Sequence, residues 1–456
     1  SRGARDPDAN EVVLSGDIDQ NDDPFAPNTD SDLNNNTPTQ IDHINGSNSY
    51  IVMLFDGGEE IGAFISDNVT TATVLDGVTI TSGNSDGDTS NNTGAGIYCD
   101  GRGSGDECSP TLQNVVFEGN HARTGGALFN MGFQGTSNPQ ITDATFTGNA
   151  ARDIGGGAIR NQGREGESSP QITSTTFTNN HADGNGGAIL NTGIYGGTST
   201  PDITGSTFTG NSAQEGGAIY TDALEGTSAP QIASSTFTDN SARIFGGAIY
   251  NAGTNGGTSS PTITDATFDG NTATGIPGIT GGSGGAIYNN AGTQFGSTTP
   301  GTSNPTITGS IFVDNAAVSG DNSEGSGGAI YNSAQGGTSS PLITNSSFFG
   351  NSADNGGGAI QSDARNGGTS SPRLTNVLFS GNSTGTNGGA LYNLAGDDGS
   401  GNSGTSSPRL LNVTFAGNTA TADGGAIIND IISGETGAAQ AEITNTIFYG
   451  NSAGNG

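Results

Sequence analysis

The sequence contains no lysine and no tryptophan, and its 11 basic residues, all arginine, face 44 acidic ones for a formal net charge of -33. So few cations exclude nucleic acid and anionic membrane surfaces as partners, because binding a polyanion needs cations that displace its counterions. Solubility at high salt or binding of divalent cations suits this charge better. Apolar residues are scarce at 30%, against roughly 45–50% in ordinary globular domains, which excludes a thick conventional core. No apolar run of about 18 residues occurs, so nothing is expected to insert into a bilayer, and no charged-then-apolar leader opens the chain. Cysteine is limited to Cys99 and Cys108, which bracket the loop DGRGSGDE. The two can close a small disulfide ring, which favours an oxidising compartment.

What is abundant is glycine, 80 residues of 456, arranged with a period. From Gly94 onward one unit recurs, well shown by GGAIYNAGTNGGTSSPTITDATFDGNTA from Gly246 to Ala273. Phe followed three residues later by Asn appears at Phe117, Phe146, Phe177, Phe208, Phe237, Phe268, Phe312, Phe348, Phe379, Phe415 and Phe448, mostly 29–31 residues apart and up to 44 where loops are inserted. Low hydrophobicity with high charge otherwise signals disorder, but a fixed period is the mark of a solenoid.

Three segments per unit alternate with period 2: a GGAIYN type, a PTIT type and an ATFTGN type, each a strand of about 3–5 residues. If Ile249, Ile263 and Phe268 point inward, then Tyr250, Thr262, Thr264 and Thr267 point outward, with Ala248 and Ala266 as small fillers. One coil cannot bury its own apolar side, but coils stacked about 4.8 Å apart align Ile on Ile and Phe on Phe. The spacing therefore predicts an all-β chain: a single parallel β-helix, or β-solenoid, of about 12–13 coils with three short strands per coil. Residues 1–92 are expected to form an N-terminal cap and irregular first coils, and 93–456 the regular repeats. Glycines such as Gly246 and Gly247 suit tight corners, and corner asparagines such as Asn271 and Asn289 tolerate the left-handed region and can stack their amides. The sequence stops mid-unit at GNSAGNG, so it is expected to continue in a longer product or to dock its open end on another copy.

The alternation of GGAI with FxxN resembles the polymorphic outer membrane protein repeats, and more broadly the right-handed β-helix repeat proteins of the pectin-lyase-like superfamily. The likeness runs from Gly94 to Asn451 and recurs about eleven times. The opening RDPDANEVVLSGDIDQNDD and the later ATVLDGVTITSGN are similar to the first coils of large secreted bacterial β-helix proteins. The resemblance implies right-handed winding and an extracellular, cell-surface location, with activities that vary across the superfamily.

Catalysis is not expected. Without lysine a proton acceptor must be Arg or His, the arginines are scattered, and no GHG or RIK motif occurs. His121 and His181 share one corner position but are separated by the coil carrying Ala150, about 9–10 Å by strand spacing, too far for one metal. A calcium site is a better candidate: DIDQNDD places Asp17, Asp19, Asn21 and Asp23 at alternating positions, with Asp30 and Asp32 close behind. Hard oxygen ligands at that spacing can wrap one Ca²⁺, although Asp22 and Asn28 stand where an EF-hand-type loop has Gly and Glu.

The residue after Ile or Leu in the GGAIY segment is aromatic at Tyr98, Phe129, Tyr220, Tyr250, Tyr288, Tyr331 and Tyr392, interrupted by Arg160, Leu190, Gln361 and Ile428. An open aromatic face would be a ligand face for sugars or a partner chain, with Tyr220, Tyr250, Tyr288 and Tyr331 as its centre. The loop that follows is long enough to cover it, and coverage is the favoured arrangement. Loops of TSSP type recur at Thr198, Thr227, Thr258, Thr338, Thr369 and Thr405 and read as an edge stiffened by stacked hydroxyls and proline. Uniform repetition without a convergent cluster points to a non-catalytic secreted or cell-surface solenoid serving as a stalk, adhesin or filament subunit. The alternative is a carbohydrate-binding or polysaccharide-degrading β-helix. Partners would be further copies, another surface protein or a glycan. The inserted stretches after Ala273, Gly292 and Ala317 break the repeat in consecutive coils and mark the best place for a partner contact.

Overall fold

Each repeat closes one turn of a coil because its apolar residues are spaced for strands and its corners carry residues that accept positive φ. In a computed structural model of the chain, residues 12–15, 51–57, 68–85, 93–278, 281–293, 299–319, 325–396, 402–431 and 437–455 are described. The chain divides into two compact units, Ser1–Ala213 and Gln214–Gly456. Each is a right-handed parallel β-helix in which every strand pairs in parallel with the equivalent strand of the adjacent coil.

The first unit shows the pattern with Phe117, Phe146 and Phe177 aligned in one sheet, Leu112, Ile141 and Ile172 in a second, and Ile97, Leu128 and Ile159 in a third. The second unit repeats it, with Phe268 opposite Phe312 despite the 44-residue separation, Ile263 opposite Ile307 and Ile249 opposite Ile287. Insertions therefore leave the coil and return to it in register. Strands Val13–Ser15 and Thr79–Thr81 extend the Phe sheet of the first unit into the early region, where Ile80 stands in the place of phenylalanine opposite Phe117.

The expectation of three strands per coil is corrected to four. The residues after the FxxN asparagine form a fourth parallel sheet, as in Ser241–Phe245 pairing with Thr272–Ala273. Many of these strands are only two residues long, too short for a period-2 pattern to show. Their inward residue is alanine in most coils, with Ser85 and Thr384 as exceptions, and Ala151, Ala182 and Ala213 pack together in the first unit.

The inward set is the expected one: Ile249, Ile263 and Phe268 are fully buried. The phenylalanines stack with centroids 4.5–4.9 Å apart from Phe117 to Phe208 and 4.6–5.1 Å apart from Phe237 through Phe268 to Phe448. A narrow core of large stacked rings yields much burial per apolar residue, which is how 30% hydrophobic content suffices. Beside it the FxxN asparagines form a ladder. Nδ2 of Asn120, Asn149 and Asn180 each donates to Oδ1 of the next coil's asparagine at 3.0 Å, and the second unit continues the pattern from Asn240 to Asn451 at 2.8–2.9 Å.

Amide stacking is thus as expected, but the left-handed backbone is not at these asparagines. It falls on the residue before, for example Gly270 (φ 65°) before Asn271, and on the corner after the PTIT strand, for example Asp265 (φ 51°) and Asn345 (φ 52°). Asn and Asp tolerate αL because a short polar side chain bonds locally. Gly246 also has positive φ (65°), whereas Gly247 is needed for proximity: a Cβ there would lie 2.6 Å from the Thr272 nitrogen.

Candidate functional site

The calcium candidates Asp17, Asp19, Asn21 and Asp23 lie outside the described residues. Among the described residues no group of three or more His, Cys, Asp or Glu is placed to hold a metal ion. Cys99 and Cys108 are bonded to each other, with Cα atoms 5.6 Å apart, and both side chains are fully buried.

The aromatic stripe is aligned but not open. Tyr220, Tyr250, Tyr288 and Tyr331 stack with centroids 4.7, 5.1 and 5.0 Å apart, yet each is no more than 8% exposed. The ligand face offered for these four tyrosines is therefore corrected to the covered arrangement favoured above, a second, outer core. Phe245 stacks on Tyr288 at 4.5 Å, the Tyr250 hydroxyl accepts from Asn290 Nδ2 at 2.8 Å, and the Tyr331 hydroxyl donates to Asp363 Oδ2 at 2.8 Å. Burial drives all four phenols well above their ordinary pKa, with nearby carboxylates adding to the shift at Tyr220, Tyr250 and Tyr331. In the first unit Arg160 interrupts the stripe by lying over the Phe129 ring, 5.3 Å from its centroid.

This outer core carries charges that sequence reasoning missed. Asp363 is fully buried, and its carboxylate is satisfied by Arg365, which donates through Nε at 2.8 Å and also through Nη2. Two residues apart on a strand, both project to the same face. Glu215 is half-buried beside the tyrosines. Desolvation, and then the Asp222 carboxylate, push its carboxyl up to about 7.

The nearest approach to a catalytic arrangement is in the first unit. His181 sits opposite Ala150 in the adjacent coil, and Ala150 opposite His121, in the register anticipated. His181 Nδ1 lies 2.9 Å from Ser212 Oγ and Nε2 lies 3.1 Å from Asp183 Oδ1. Ser, His and Asp in contact resemble a nucleophile–base–orienter set, but the chemistry also needs amide donors aimed at a developing oxyanion. The Ser212 amide is spent in the ladder, donating to Asn180 O at 3.0 Å. The Asp183 side chain is 50% exposed, whereas the orienting carboxylate of a triad is buried.

The TSSP edge forms a continuous row in the second unit: Thr227, Thr258, Thr302, Thr338, Thr369 and Thr405 bridge in sequence. The first serine of each of these loops is buried, and Ser370 and Ser406 bond the preceding coil, Ser370 Oγ donating to Ser339 O at 2.8 Å and Ser406 Oγ to Ser370 O at 3.0 Å. Next to this edge the scattered arginines prove to include a pair: Arg373 and Arg409, 36 residues apart in sequence, face each other in register on adjacent coils. The signal was legible in the near-identical SSPRL stretches that carry them.

Among known proteins, a family model described as Chlamydia polymorphic membrane protein (Chlamydia_PMP) repeat matches residues 174–192, 205–222, 234–252, 265–290, 345–363, 376–394 and 412–430. No curated protein and no solved structure matches significantly.

Proposed function

Because the chain is built of polymorphic membrane protein repeats, the signature of a surface-protein family, we propose that it is a non-catalytic cell-surface solenoid serving as a stalk or adhesin. The observation that carries this reading is the uniformity of the coil. The Phe stack and the Asn ladder recur in every regular coil of both units, while the chemistry-bearing side chains are spent on packing. The buried tyrosines argue against sugar stacking on that stripe. The Ser212 amide, which could serve an oxyanion in acyl transfer at the Ser212–His181–Asp183 contact, donates to Asn180 O instead.

Adhesion is assigned to the coils where the repeat is interrupted. Insertions there return to the ladder at Ser283 and Ser326, which bridge each other. Local irregularity is where a repeat protein can present a partner surface without disturbing its core. Electron microscopy of the purified chain, with and without millimolar calcium at low and high salt, should show particles that persist without the metal, and the same preparation should cleave no polysaccharide. Substitutions across residues 275–304 should abolish attachment to host or sister cells while leaving the particles intact. Attachment unchanged by that series would remove the adhesin assignment, and polysaccharide cleavage lost in Ser212→Ala would overturn the non-catalytic reading.

A further inference from the structure

We propose that the groove along the TSSP edge of the last coils binds an acidic oligosaccharide, one bearing uronate or sulfate groups, through Arg373 and Arg409. The groove has a volume of about 550 Å³ and is lined by Ser340, Ser371, Ser407, Leu342, Arg373 and Arg409 among others. The equivalent position elsewhere in the sheet is uncharged or acidic: Gln140, Gln171 and Asp202 in the first unit, and Gln231, Thr262, Thr306, Leu342 and Glu442 in the second. In a chain of net charge -33, two of the 11 arginines are placed side by side here. Both are exposed.

Like charges directly opposite each other across a strand pair destabilise it, so the pair needs an anion. Arg409 has one, donating through Nε to Glu442 Oε2 at 2.6 Å. Arg373 has Leu342 on its other side instead of a carboxylate. An oxyanion between the two guanidiniums would relieve the repulsion and accept charge-assisted hydrogen bonds in fork geometry.

The serines supply the second half of the recognition. Ser371 Oγ accepts the Ser407 amide at 2.9 Å, and Ser340 Oγ accepts the Ser371 amide at 2.8 Å. Each bond fixes the oxygen: Ser371 keeps its hydroxyl proton to donate, while Ser340 turns its own toward Thr369 O at 3.4 Å and offers an oriented oxygen. A row of oriented hydroxyls beside two guanidiniums matches a ligand that alternates hydroxyl and acidic groups, which is the chemistry of an acidic glycan. Two cations suit a short ligand that carries few acid groups among its hydroxyls, since a densely charged polyanion such as nucleic acid is repelled by the rest of the chain. The inference is independent of the stalk reading, since the groove exists whether or not the chain mediates attachment.

Isothermal titration of the full chain with a sulfated hexasaccharide, an oligouronate and a neutral hexasaccharide tests it, with inorganic sulfate and an acidic peptide as controls. At least one acidic sugar should bind, and the neutral sugar should not. Arg373→Gln and Arg409→Gln should each weaken binding at least tenfold without changing circular dichroism, and Arg373→Gln, which removes the repulsion, should not lower melting. Glu442→Gln, which frees Arg409, should strengthen it several-fold. Binding by neither acidic sugar, binding unchanged in the double arginine variant, weakening in Glu442→Gln, or equal affinity for inorganic sulfate or the peptide would overturn the proposal.

Discussion

Asn315→Ala tests the asparagine ladder at the point where it crosses the longest insertion. Asn315 is fully buried. Its Nδ2 donates to Phe268 O at 3.0 Å and to Asn351 Oδ1 at 2.9 Å, and its Oδ1 accepts from the Asn271 amide at 3.1 Å and Asn271 Nδ2 at 2.9 Å. Alanine removes all four bonds. Asn351 Oδ1 keeps the Asn315 amide, and Asn271 Nδ2 keeps Phe237 O. The Asn271 amide and the Phe268 carbonyl lose these partners in a dry interior, at about 1–3 kcal/mol for each buried group left unpaired. The expected loss is thus about 2–6 kcal/mol, with the methyl leaving a small cavity besides. Urea unfolding followed by circular dichroism gives the total, and hydrogen exchange locates it: protection should fall at Asn271 and its neighbours, while the amides around Asn149 in the first unit should hold. In a repeat protein the stability is set by each coil and its neighbours, so the effect should be local. A loss below about 1 kcal/mol, or unchanged protection at Asn271, would refute the claim that the ladder holds adjacent coils together.

Glu215→Gln probes the outer core. Its carboxyl, pushed from 4.5 up to about 7, binds a proton more tightly in the folded chain than in the unfolded one, so ionisation penalises the fold above pH 7 and has no effect below 4.5. The variant should be more stable than the parent at pH 8 by at most about 3 kcal/mol, converting the shift at 1.36 kcal/mol per unit, and the gap should close on acidification; a gap independent of pH would refute it. Gly247→Ala should fail to fold its coil or lose several kcal/mol, because the added methyl meets the backbone of Gly285 and Thr272, and a melting profile like the parent's would show that the coils can separate at that corner. Reducing Cys99–Cys108, which closes a loop of sequence separation 9, should lower the stability of the first coils by about 2–3 kcal/mol, read as faster hydrogen exchange in residues 97–118 under reductant and no change beyond residue 214.

How far the sequence carries depends on whether a feature is set within one coil or between coils. Ile249, Ile263 and Phe268 were legible as inward residues because alternation along a short strand assigns them without knowledge of neighbours, and stacking follows once the period is seen. The fourth strand was not, since two residues such as Thr272 and Ala273 carry no period. The fate of Tyr250 turned on tertiary packing, so the sequence left both an open face and a covered one, favouring coverage only because the following loop is long, and the residue is buried. The left-handed corners were placed one residue late, because Asn271 and Gly270 both suit a corner and only the amide bonds to Asn315 and Phe237 commit the asparagine to the interior. Arg373 and Arg409 show the general rule most directly. In the linear sequence they are two of a few dispersed cations, 36 residues apart because an insertion lengthens the coil between them, and the solenoid converts that variable separation into one strand spacing. Any two residues holding the same position in successive repeats become neighbours whatever the loops between them do. The informative search in such a chain is therefore down the columns of aligned coils, where a like-charged pair amid uncharged or acidic residues is a departure that the coil geometry does not itself require.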